Sequence, residues 1–149
     1  MRISPVTKDD RGTYYCIAEN GVGRGARRNI VLGVEFSPVI TVPRPKIGQA
    51  LDHDQNLECH IEAYPYPNIM WYRGNDRIVN NKHYSMSNFA TADEYIDSTL
   101  RIRTVEKNQY GNYTCKSNNK HGEAEATIEL YGKSKRRQLF TTIFYCNNT

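Results

Sequence analysis

The sequence predicts an all-β chain folded as an antiparallel β-sandwich, and three observations carry that reading. First, Asn56-Leu57-Glu58-Cys59-His60-Ile61-Glu62-Ala63 alternates cleanly. Leu57, Cys59, Ile61 and Ala63 share one face and Glu58, His60 and Glu62 the other, which is the period of a half-buried strand. Second, no stretch sustains a helical period. Third, tyrosine is abundant, 11 residues against 4 phenylalanines and 1 tryptophan; tyrosine, threonine and valine favour half-buried strands.

The chain is organised around Gln109-Tyr110-Gly111-Asn112-Tyr113-Thr114-Cys115. Tyr113 stands two residues before Cys115; upstream, Cys59 opens the pair and Trp71 follows it. That order of Cys, Trp and Tyr-x-Cys marks an immunoglobulin-like sandwich, with a tyrosine corner and an indole packed on an inter-sheet disulfide. The fold therefore implies a Cys59–Cys115 disulfide and a core containing Trp71, Tyr113 and Leu100. If the two cysteines pair, they close a loop of about 56 residues, which stabilises by about 4 kcal/mol in the chain-entropy treatment. Such a bond implies an oxidising compartment. Of the 4 cysteines, Cys16 and Cys146 lack this spacing.

Residues 1–33 carry a pattern that returns between Leu100 and Leu130. With Met1 set against Leu100, Ile3 matches Ile102, Val6 matches Val105, Gly12 matches Gly111, Tyr14 matches Tyr113 and Cys16 matches Cys115. After a turn one residue longer, Ile30 and Leu32 match Ile128 and Leu130. Such self-similarity predicts tandem domains. Residues 1–33 read as the C-terminal strands of one immunoglobulin-like domain, with Ile3, Val6, Tyr14, Ile30 and Leu32 on an exposed apolar face. Residues 34–37 read as a short junction with no flexible Gly/Ser spacer. Residues 38–131 read as a complete immunoglobulin-like C2/I-set domain.

Within that domain, Pro43 and Pro45 fit an edge strand. Tyr64-Pro65-Tyr66-Pro67 is a turn, because two prolines break any ladder. Ile69-Met70-Trp71-Tyr72-Arg73 is the next strand, with Ile69 and Trp71 inward, and Gly74-Asn75-Asp76 turns the chain. Leu100 and Ile102 point inward from Ser98–Ile102. The last strand opens at Gly122 and turns Ala124, Ala126, Ile128 and Leu130 to the core.

Residues 132–149 form a basic tail, expected to be disordered. Lys133, Lys135, Arg136 and Arg137 account for the whole formal charge of +4, so the domain is neutral and no nucleic-acid partner is expected. Leu139–Tyr145 is far shorter than the roughly 20 apolar residues of a membrane span, and no GPI signal is present. The start, Met-Arg-Ile-Ser-Pro, has no apolar signal-peptide region. A secreted-type domain without leader or anchor reads as a fragment.

No enzyme is expected, and neither catalytic nor metal-ligating residues are assigned. The histidines, His53, His60, His83 and His121, lack ligand spacing. Asp93, Glu94 and Asp97 read as a solvated acidic loop, and no cofactor fingerprint occurs. Asn112-Tyr113-Thr114 is a sequon whose alternation points Asn112 outward, a glycosylation site if the chain is exported. Asn147-Asn148-Thr149 also matches. Met70, Tyr72, Lys116 and Thr127 share the outward face with Asn112, and Met70, Tyr72 and Lys116 form the candidate interface.

Over residues 1–131 the chain resembles the lachesin/IgLON group of immunoglobulin-superfamily cell-adhesion proteins. The likeness rests on Leu100-Arg101-Ile102, Gly111-x-Tyr113-x-Cys115, Asp10-Arg11-Gly12-Thr13-Tyr14-Tyr15-Cys16, Glu19-Asn20-Gly21-Val22-Gly23 and Ser37-Pro38-Val39-Ile40. It implies an extracellular, cell-surface parent protein, often neuronal. Its partners would be immunoglobulin-family proteins bound homophilically or heterophilically, with membrane contact only through an anchor absent from this chain. Residues 38–131 then correspond to the membrane-proximal spacer. One departure is Gln109, where the group carries the aspartate kept as Asp10; a surface-side ion pair contributing little is lost. The alternative is an ectodomain fragment of an immunoglobulin-containing signalling receptor. A muscle-type intracellular domain with reduced cysteines is a third reading.

Overall fold

A computed structural model describes residues 1–134. The tail beyond Ser134, with Cys146 and the second sequon, lies outside the described residues. Strands β1 (Gly12–Ala18) and β2 (Ala26–Leu32) form a two-stranded antiparallel hairpin. Nine strands come after it: β3 (Phe36–Thr41), β4 (Lys46–Gln49), β5 (Gln55–Tyr64), β6 (Asn68–Arg73), β7 (Asp76–Arg77), β8 (Tyr84–Ala92), β9 (Tyr95–Ile102), β10 (Gly111–Asn119) and β11 (Gly122–Gly132). They divide into a four-stranded sheet, β3-β5-β9-β8, and a five-stranded sheet, β4-β11-β10-β6-β7.

The two sheets bury the faces that alternation assigns. Leu57, Cys59, Ile61 and Ala63 from β5 meet Trp71, Tyr113, Cys115, Ile128 and Leu130 from the opposite sheet. Each large side chain removed from water there contributes about 1.5–3 kcal/mol. Leu100 is fully buried, between ladder partners Leu57 and Met86.

The internal repeat holds at the level of register. Tyr14 pairs with Ile30 and Gly12 with Leu32; Tyr113 pairs with Ile128 and Gly111 with Leu130. A single 3-10 turn precedes each hairpin, at Lys8–Asp10 and Lys107–Gln109. Gly12 and Gly111 open the equivalent strands at φ +139° and +136°, which an L side chain adopts only with strain. Val6 and Ile30 stand exposed, while Ile3, Tyr14 and Leu32 are half-buried.

Four local expectations need correction. Pro43 and Pro45 lie in no strand: they link β3, the edge of one sheet, to β4, the edge of the other. A residue without an N–H cannot pair, so the chain changes sheets there. Phe36 and Ser37 of the expected junction already belong to β3. Asp97 sits in β9, not in a loop, with its carboxylate 2.6 Å from His60 Nδ1 across the ladder. Gln109 is buried and not on the surface.

Candidate functional site

Two sheets can be held in one register by a few inward groups that reach across. Trp71 lies beside Cys115 in its own sheet and donates its indole N–H to Ser98 Oγ in the other, at 2.9 Å. Ser98 is in turn the ladder partner of Cys59. Cys59 and Cys115 thus face each other at the centre, both fully buried. A hydrogen bond with Cys115, then burial, pushes the Cys59 thiol far above its ordinary range.

Below them is the tyrosine corner. The Tyr113 hydroxyl donates to the Gln109 carbonyl at 2.6 Å, and Tyr14 makes the same bond to the Asp10 carbonyl at 2.6 Å. The Asp10 and Gln109 side chains play equivalent parts: each accepts the backbone N–H three residues upstream, from Thr7 at 2.7 Å and from Glu106 at 2.8 Å. Arg73 donates to the carbonyls of Asn108 and Tyr110 and lies over the Tyr113 ring.

The Tyr113 phenol is pushed well above the usual tyrosine range, first by burial and then by the Tyr84 hydroxyl. An unfolded chain ionises this phenol near pH 10 while the folded chain keeps its proton. Stability is therefore full below that value and falls as pH rises through it. Tyr113→Phe is expected to flatten the loss between about pH 9 and about pH 11, checked by urea denaturation at each pH. It also costs about 1–3 kcal/mol at neutral pH, because the Gln109 carbonyl loses its donor.

The outward face of the five-stranded sheet gathers the expected interface residues. Lys116 lies opposite Met70 and beside Glu125, and Thr114 lies opposite Tyr72 and Thr127. Lys116 Nζ sits 4.9 Å from the Tyr72 ring centroid and 3.2 Å from Glu125. The Tyr72 hydroxyl approaches Met70 Sδ at 3.8 Å. Met70, Tyr72, Lys116 and Glu125 line a groove of about 430 Å³. Asn112 is exposed at the far end of the same face.

A third cluster joins the first hairpin to the sandwich, and the sequence alone did not signal it. Lys8 Nζ donates to Glu62 at 2.9 Å. Arg11 reaches Glu62 and Glu94, donates to the Tyr95 hydroxyl at 2.9 Å, and stacks over the Phe36 and Tyr95 rings at 5.9 and 5.5 Å. On the other side of the link, Glu35 pairs with Lys120 at 2.6 Å and His121 at 2.8 Å. Asn119 donates to the Phe36 carbonyl at 2.8 Å.

The immunoglobulin I-set domain description matches residues 38–131. The chain belongs to the immunoglobulin I-set family. Lachesin of Drosophila melanogaster is 63% identical over 131 residues, 88% of this chain and 36% of that protein. The limbic system-associated membrane protein of Mus musculus is 31% identical over 134 residues, 89% of this chain and 37% of that protein. The I-set chain thus spans a little over a third of the length of these relatives. Its resemblance to the lachesin/IgLON group holds in sequence, well beyond the shared fold. The crystal structure of Dpr2 Ig1-Ig2 in complex with DIP-Theta Ig1-Ig3 superposes with a TM-score of 0.80 at 30% identity, covering 88% of this chain and 44% of that one.

In this I-set sandwich the structure brings Cys59, Cys115, Trp71 and Tyr113 together, and sets Met70, Tyr72 and Lys116 side by side on the opposite surface. Ser98 went unassigned, although a serine at an inward position between Ile96 and Leu100 signals a buried partner. Among the described residues no group of His, Cys, Asp or Glu could hold a metal ion, and no helix is long and apolar enough to cross a membrane.

Proposed function

We propose that the chain is part of an immunoglobulin-superfamily cell-surface adhesion protein and acts there as its spacer. Residues 1–33 are then the end of one I-set domain, 38–131 a complete membrane-proximal one, and Cys59–Cys115 an extracellular disulfide. The partners are proteins, homophilic or heterophilic, and Asn112 carries an N-linked glycan. The solved relative is a complex between two immunoglobulin proteins, which supports a protein partner.

The junction is the observation that carries the spacer reading. Only Gly33, Val34 and Glu35 separate β2 from β3, and ion pairs clamp both sides of that link. A spacer must transmit separation and orientation, which a loose tether cannot do. Arg11→Ala removes two carboxylate contacts and two ring contacts at once. The expected result is a broadened distribution of distances between spin labels on the hairpin and on β8, measured in the full parent protein. An unchanged distribution would discard the rigid-spacer reading. Burial raises the Glu62 carboxyl, but Lys8 and Arg11 outweigh it and hold the group below its usual range. The clamp is therefore complete above about pH 4.3 and loosens as pH falls below it.

Display of the parent protein on non-adherent cells tests adhesion itself. Clustering, or binding to a second immunoglobulin-bearing cell, is expected. Its absence in both settings would reject the adhesion reading.

A further inference from the structure

The sandwich carries an open cleft of about 610 Å³ at the pole where β6 turns into β7. Clefts that hold small ligands run from about 300 to 1,000 Å³. Arg77, Val79, Tyr84, Tyr110 and Asn112 are among its lining residues. Its floor is apolar: Ile78 is buried and the Tyr84 and Tyr110 rings are half-buried. Val79 projects beside them, 60% exposed. Two charged side chains at its wall, Asp76 and Arg77, remain available. Asp76 and Arg77 are exposed and neither has an ion-pair partner among the described residues.

Asn112 is both a lining residue of this cleft and the acceptor position of the sequon. Its side chain is exposed, and Thr114 stands on the same face of β10. We propose that the cleft seats the inner N-acetylglucosamine residues of a glycan attached to Asn112. This rests on the reading that Asn112 is glycosylated, and it adds where the sugar lies.

The chemistry of the cleft matches such an occupant. A pyranose ring presents C–H groups on its faces and hydroxyls around its edge. The C–H face packs on tyrosine rings and on Val79 as other apolar surface does. The Arg77 guanidinium donates to ring-edge and acetamido oxygens, and the Asp76 carboxylate accepts from hydroxyls. Attachment at the rim also changes the arithmetic. A short tether gives an effective concentration on the order of millimolar, so a contact of only millimolar strength is occupied about half the time. A free sugar at cellular concentration would leave the same cleft empty.

The test uses the full chain passed through a secretory pathway with isotope-labelled N-acetylglucosamine. Glycopeptide mass is read first. An unmodified Asn112 in secreted material overturns glycosylation and the seat with it. With Asn112 modified, the inner acetyl methyl resonances are expected away from free-oligosaccharide positions, with cross-relaxation to Val79 and Tyr110. Val79→Asp and Arg77→Ala, both at exposed positions, are each expected to reduce the cross-relaxation to Tyr110 several-fold. Free-sugar positions in the wild type, or signals indifferent to both substitutions, overturn the seat while leaving glycosylation standing.

Discussion

Trp71→Ala is expected to destabilise the I-set domain by about 3–5 kcal/mol, the range for removing a buried indole and leaving a cavity. Trp71 is only 1% exposed and sits at the centre of the core cluster. Part of the loss is not packing: Ser98 Oγ keeps a buried hydroxyl without its donor. Trp71→Phe keeps one aromatic ring and loses the N–H with the second ring, so its cost combines a smaller cavity with an orphaned buried hydroxyl that costs about 1–3 kcal/mol. Combining it with Ser98→Ala is expected to recover much of this cost, a coupling of about 0.5–3 kcal/mol. Urea denaturation of the wild type, Trp71→Phe, Ser98→Ala and the double variant checks it. Strict additivity would show that the indole and the hydroxyl act independently.

Oxidised material is expected to be more stable than reduced material by about 4 kcal/mol, because a bond between Cys59 and Cys115 restricts the unfolded chain over a long loop. Two thiols buried face to face in opposite sheets need little rearrangement to join. Alkylation of the unreduced, denatured protein should leave both unmodified, and Cys59→Ala should abolish the effect of reductant. Equal denaturation midpoints with and without reductant would place the domain among those that fold with free thiols.

How far the chain could be read depended on how local each cause was. Asn56–Ala63 declared its buried side because a sheet with one wet face imposes a two-residue period. Tyr113 and Cys115 were legible because their spacing is fixed by the corner they build. β8 was not read: only Tyr84, Ser85 and Met86 of it are half-buried, and the rest is exposed, so no alternation was imposed. β4 escaped because four residues form no pattern of their own, and their partners lie in β11, far along the chain. The outer surface of Met70, Tyr72 and Lys116 followed from parity alone. The Arg11 clamp did not, since Glu62, Glu94 and Tyr95 become its neighbours only after the fold has formed.

β4 and β11 run side by side in the same direction, with Lys46 against Glu129 and Gln49 against Gly132. They lie toward opposite ends of the sandwich sequence. Tension applied through the two ends drags these strands lengthwise past each other, so their rungs carry the load together and cannot be peeled one at a time. A molecule built this way resists best along the line that joins its two ends.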